Sequence, residues 1–255
     1  MPQAVPRHFH SSSQATPQFS IFHHESSASK GKALEKTCAV IHILRHGQAL
    51  HNVDKSHLFP DPSLTETGQL QARNLNITTG PDLVLISPMT RTLQTALLAF
   101  DSLEGIEIRV WPDLREAHNA LCNKGIPKAD LAAQFPQFDY TECHDEWDYP
   151  DHSTDEAVAR AERVRKRVKD LSTSYGNIYL VTHRGFIAFL VQGEKFDVCE
   201  HHQYRFAAED EVGGGRYGVN RDTGLMQDFG PTLLLPTEGH ENPTGDLDVE
   251  GDRQE

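Results

Sequence analysis

A strand-like run, Ala39-Val40-Ile41-His42-Ile43-Leu44, stops at Arg45-His46-Gly47. An imidazole beside a guanidinium at the end of a strand is suited to attacking a phosphoryl group. A neutral imidazole is a good nucleophile near neutral pH, and a guanidinium is a rigid, permanently charged fork for oxyanions. Gly47 lets the backbone turn sharply and come close to a ligand. Three residues recur by chance, so the tripeptide gains weight only from further chemistry along the chain. Ser87-Pro88-Met89-Thr90-Arg91-Thr92, Leu114-Arg115-Glu116 and Val181-Thr182-His183 each offer another basic or acidic group.

The elements that would hold these groups alternate between strand and helix. Asp82–Ser87 reads as a buried strand closed by Pro88, Ile106–Trp111 as a third strand, and Asn177–Thr182 as a fourth. Helical patterns open near Thr65 and run through Gln71 and Leu75, and again from Thr90 to Phe100. Ser153 and Glu156 have capping-box spacing ahead of a stripe of Ala157, Ala161, Val164, Val168 and Leu171. Arg160, Arg163, Arg165, Lys166, Arg167 and Lys169 fall mostly off that stripe and read as a solvated face. The alternation favours an α/β three-layer sandwich, with a mostly parallel central sheet and helices on both faces. Arg45-His46, Arg91 and His183 then all fall just past strand carboxyl ends or on the following helix, the edge where open α/β sheets bind ligands.

In order along the chain stand Leu44-Arg45-His46-Gly47-Gln48 with Asn52, Leu64-Thr65-Glu66-Thr67-Gly68 with Gln71-Ala72, and Ser87–Thr92 with Gln94-Thr95-Ala96. Leu114-Arg115-Glu116 and Val181-Thr182-His183 complete the set. In these five segments, spanning roughly residues 39 to 190, the chain resembles the histidine phosphatase superfamily, which includes the cofactor-dependent phosphoglycerate mutases. The resemblance implies a phosphoglycerate mutase-like fold and makes His46 the nucleophile that accepts a phosphoryl group. It makes Arg45 and Arg91 the ligands of the phosphoryl oxygens, His183 a second pocket histidine, and Glu116 the proton donor to the leaving oxygen. Asp113 is a rival carboxylate. Gln48 and Asn52 either bind phosphate or cap the loop.

One departure stands out. Family members commonly carry Gly directly after the second histidine, whereas Arg184 precedes Gly185 here. Its side chain either crowds the backbone or adds a third guanidinium to substrate binding. The acid-phosphatase branch has His-Asp at this point, and its absence favours Glu116 as donor. Mutases of the family follow the acid with a Glu-Arg-His-Tyr-Gly type segment, and Ala117-His118-Asn119 replaces it here. The expected activity is therefore a phosphomonoesterase acting on a small phosphorylated metabolite. A phosphoglycerate-type mutase and a catalytically weak binding member are the alternatives.

Bulk properties narrow the partners. The chain has 255 residues with a net charge of −13, which argues against nucleic-acid binding and requires a local arginine cluster to attract an anion. No run approaches the ~20 apolar residues of a membrane span. Cys38, Cys122, Cys143 and Cys199 form no disulfide framework, which points to a reducing, cytoplasmic location with the nucleus as a further compartment. The histidines and cysteines show no recognised metal-ligand spacing, and the arginines supply positive charge, so neither metal nor cofactor is expected. Residues 1–37 read as disordered, with an organelle transit peptide as the alternative. Residues 38–237 read as the folded domain, and 238–255 as an acidic tail with seven acids against one arginine. Loops at Asp54–Pro62 and His118–His152, and the region after Gly193, are the expected determinants of specificity. Within the second, Phe135, Phe138, Tyr140, Trp147 and Tyr149 form either an apolar lid or satellite core.

Overall fold

The aliphatic runs become central strands in the computed structural model, which describes residues 38–54, 56, 59–100, 102–147 and 153–237. The segments 1–37 and 238–255, expected to be disordered, lie outside the described residues, as does Tyr149. Strands β1 (Val40–Arg45), β2 (Leu83–Ile86), β3 (Glu107–Val110) and β4 (Asn177–Thr182) lie parallel. β5 (His201–Phe206) pairs antiparallel with β1, and β8 (Leu234–Pro236) antiparallel with β5. The sheet order is β3-β2-β4-β1-β5-β8. β6 (Tyr217–Val219) and β7 (Met226–Asp228) form a separate hairpin. The helices are α1 (Leu50–Val53), α2 (Glu66–Arg73), α3 (Thr90–Ala99), α4 (Lys128–Gln134), α5 (Thr154–Leu171), α6 (Arg184–Leu190) and α7 (Glu209–Gly215).

Both sheet faces are covered, which explains why β2 reads as an unbroken apolar run. Ile41, Ile43, Leu83, Leu85, Ile178 and Leu180 face Ala157, Ala161, Val164 and Val168 of α5 and Phe186 of α6. On the other face Leu44, Val84, Ile86 and Val181 meet Leu93 and Ala96 of α3 and Leu131 of α4. Each such aliphatic side chain contributes roughly 2 kcal/mol on leaving water. Phe135, Phe138, Tyr140 and Trp147 join this second cluster, so the aromatic segment is core rather than a lid. No helix among the described residues is long and apolar enough to cross a membrane.

Two sequence expectations change. The α5 arginines are not uniformly solvated: Arg160 and Arg165 are each 1% exposed. Arg160 donates to the carbonyls of Asp113, Arg115 and Glu116, and Arg165 to those of Phe189 and Leu190. Backbone carbonyls thus take the place of water around these charges. The cap of α5 is half the expected box. Ser153 Oγ accepts from the Glu156 N–H, while the Glu156 carboxylate turns to Arg163.

Gly47 also makes room for its own chain. A Cβ there would stand 2.7 Å from the Gly68 carbonyl oxygen and 3.2 Å from Cys199 Sγ, so the close approach is to its own chain. Gly68, in the first turn of α2, is tighter still: its Cβ would lie 2.0 Å from the Gln48 carbonyl oxygen. The loop after β1 is therefore clasped between α2 and the entrance to β5. Gly68→Ala is expected to cost more than about 2 kcal/mol, because backbone must move to admit the methyl group. Urea unfolding measures this, and a wild-type midpoint would show that α2 can shift freely.

Candidate active site

Four segments end at one rim of the sheet. β1 delivers Arg45 and His46, β2 leads through Ser87 to Arg91 in the first turn of α3, and β4 ends at His183, which precedes α6. β3 runs into a 3-10 turn, Pro112–Leu114, and then Glu116. The parallel strands make this convergence unavoidable, since all four carboxyl ends lie on one edge.

The two imidazoles lie 5.2 Å apart between ring centroids. His46 Nδ1 is 2.7 Å from its neighbour's carbonyl oxygen at Gly47. A carbonyl only accepts, so Nδ1 carries the proton and Nε2 keeps a bare lone pair. Burial, then the charges of Arg91 and Arg45, hold the His46 pKa well below its usual value. The same burial, with Arg91 and His46, lowers His183. His183 Nε2 is 2.8 Å from Ser87 Oγ, while its buried Nδ1 has no hydrogen-bond partner in the protein.

Arg91 is fully buried, and burial lowers its pKa. Its Nη1 donates to the Cys122 carbonyl at 3.2 Å and its Nη2 to Asn123 Oδ1 at 3.0 Å. The Asp61 carboxylate stands 4.0 Å away, itself held by the N–H and hydroxyl of Thr90. Arg45 Nη1 donates to the Phe196 carbonyl at 2.8 Å. Burial and the neighbouring Arg184 lower its pKa to about 10, leaving it charged at neutral pH. Nε of both Arg45 and Arg91 remains without a protein partner, as does His183 Nδ1. Three buried nitrogens flanking His46 therefore keep hydrogen-bonding capacity that the protein itself does not use.

Glu116 lies against the start of α6. Its Oε1 accepts from the N–H groups of Ala117 at 2.7 Å and Phe186 at 2.8 Å, and Oε2 from Gly185 at 3.2 Å. Gly185 is required here, because a Cβ would meet Glu116 Oε1 at 2.4 Å. The rival carboxylate, Asp113, turns instead to Arg163 on α5. Arg184 is exposed at the start of α6, so it does not crowd the backbone, and its charge is the strongest acting on Arg45. Gln48 and Asn52 are engaged in the loop: Gln48 Oε1 accepts from Thr65 Oγ1, and Asn52 Oδ1 from the Ala49 N–H. Ser87, Asp61, Asn123 and Arg160 join the site without having been singled out from sequence as members of it. No cluster of three or more potential metal-ligating side chains occurs among the described residues.

A family model described as histidine phosphatase superfamily (branch 1) matches residues 41–204. A Schizosaccharomyces pombe protein named "Probable phosphatase" is 30% identical over 214 residues, covering 72% of this chain and 95% of that one. An Arabidopsis thaliana phosphoglycerate mutase-like protein is 26% identical over 260 residues, covering 82% and 95%. Among solved structures, the silkworm ecdysone phosphate phosphatase in complex with tungstate superposes with a TM-score of 0.51 at 20% identity, covering 66% of this chain and 89% of that chain.

The buried His46 should stay neutral, protonated on Nδ1, at about pH 6, where an ordinary histidine is mostly cationic. Imidazole 15N spectra against the His46→Ala variant read this directly. A cationic His46 at that pH would contradict the effect of burial and the two arginines.

Proposed function

The chain belongs to the histidine phosphatase superfamily, and we propose that it is a phosphomonoesterase working through a phosphohistidine on His46, without a metal ion. The observation that carries the reading is the bare Nε2 of His46 beside Arg45, Arg91 and His183, whose Nε, Nε and Nδ1 are free of protein partners. In the first step Nε2 attacks phosphorus while the bond to the leaving oxygen breaks, and Glu116 gives that oxygen a proton. Oε2 of Glu116, with a single 3.2 Å contact, is the oxygen with room to carry it. In the second step water attacks phosphorus, its proton passes to Glu116, the N–P bond breaks and inorganic phosphate leaves. Arg45 and Arg91 hold the phosphoryl oxygens throughout, supplying the positive charge that a metal would otherwise provide.

Water is the favoured acceptor over a second substrate oxygen. The first basic residue after Glu116 is His118, and it is already paired with Asp222 at 2.8 Å, so it is not free to grip the carboxylate of a sugar acid. The substrate class is a small phosphorylated metabolite, with Arg184 at the rim as a further contact.

The test is phosphate release from an aryl phosphate and from a panel including 3-phosphoglycerate, in excess EDTA. Wild type is expected to hydrolyse, His46→Ala to lose about a thousand-fold or more, and acid-labile phosphoenzyme to appear only in wild type. Dependence on added metal would remove the metal-free part of the reading. Isomerisation of 3-phosphoglycerate without phosphate release would replace the hydrolase with a mutase.

A further inference from the structure

The β6–β7 hairpin lies beyond residue 204, where the family match ends, yet its tip returns to the catalytic rim. Asn220 Oδ1 accepts from the N–H groups of Asp222 and Thr223 at 2.8 and 3.0 Å, fixing the turn. Asn220 also donates to Gln227, which donates in turn to the Phe189 carbonyl of α6. The turn is therefore tied to the helix whose start holds Glu116. At its tip, Asp222 Oδ2 lies 2.8 Å from His118 Nε2, with the aspartate side chain only 8% exposed. His118 and Glu116 share one ledge: a Cβ on Gly185 would meet both, at 2.7 Å from His118 Cδ2 and 2.4 Å from Glu116 Oε1.

We propose that the His118–Asp222 ion pair is a positioning device for Glu116, through which the hairpin becomes a working part of the active site. The proposal rests on the phosphatase reading of that site. Packing alone does not brace the loop on this side, because a cavity of about 180 Å³ lies against it, lined by Ala117, Asn119, Phe189 and Thr223 among others. Without the pair, the His118 side chain is released toward that space, the segment keeps only the Asn123 and Ala120 hydrogen bonds to the His118 carbonyl, and the aim of Oε2 at the leaving oxygen loosens. Asp222 and Glu116 favour the charged form of His118 while burial and Arg184 oppose it, and Asp222 also feels Lys195 and Arg184. The hydrogen bond to Asp222 raises the His118 pKa above its ordinary value, so the pair is complete at acidic pH and weakens as pH rises through the elevated value.

The test exploits leaving-group chemistry. An aryl phosphate departs with little protonic help, whereas an alkyl phosphate requires a well-placed acid. In the full-length chain, Asp222→Asn is expected to lower kcat/KM for glycerol phosphate by about ten-fold or more, and for p-nitrophenyl phosphate by less than about three-fold. Asp222→Glu should restore most of the difference. His118→Gln, altered on the exposed partner, should reproduce it even if Asp222→Asn folds poorly. Imidazole titration by NMR should show the His118 pKa falling in Asp222→Asn. Equal losses on both substrates, or an unmoved His118, would overturn the positioning role while leaving the phosphatase reading intact. A wild type inactive on both substrates would overturn that reading and this inference with it.

Discussion

Two guanidinium groups taken out of water beside two imidazoles set the terms for everything around them. Burying a cation costs several kcal/mol unless polar groups replace its hydration shell. Here the replacements come from irregular chain rather than from strands: the carbonyls of Cys122 and Phe196, the Asn123 amide oxygen, and a carboxylate at arm's length in Asp61. The long connection between β3 and α5, which includes α4, and the stretch before β5 are therefore more than links between elements. They solvate the charge, and burial together with that charge holds the pKa of both histidines low. A protein of net charge −13 thus maintains a small positive enclosure at one sheet edge.

The same device recurs behind Glu116. Arg160 crosses from α5 and gathers three carbonyls of the turn after β3, with its guanidinium 4.2 Å above the Phe186 ring. The acid is thereby gripped from its backbone by one helix and from its carboxylate by the start of another. Arg45 and Arg91 sit on other elements, β1 and α3. Placing His46 and Glu116 on separately supported segments lets each be held rigidly without one distorting the other.

Much of this was legible because chemistry and periodicity agreed. β1, β2 and β4 are short apolar runs ended by polar signals, and α3 and α5 carry stripes at helical spacing. β5 escaped notice because His201-His202-Gln203-Tyr204-Arg205-Phe206 is polar, and its pairing with β1 depends on a partner about 160 residues away. The burial of Arg160 and Arg165 had a readable signal. Each sits three or four residues from Ala157, Ala161, Val164 or Val168, and so flanks the apolar stripe rather than opposing it. Asp61 and Asn123 gave no such signal, since their importance arises only where loops meet Arg91.

The approach to β5 ties His46 to a late part of the chain. His46 follows the first described strand, but Arg45 takes a carbonyl from Phe196, and the His46 carbonyl accepts the N–H of Cys199. Contacts of such long sequence separation form late and slowly. During synthesis, the ribosome must therefore extrude nearly the whole domain before His46 acquires its neighbours. A nascent chain halted after α5 would carry this imidazole in a solvated, ordinary state, so the lowered pKa of His46 is a property of the finished polypeptide.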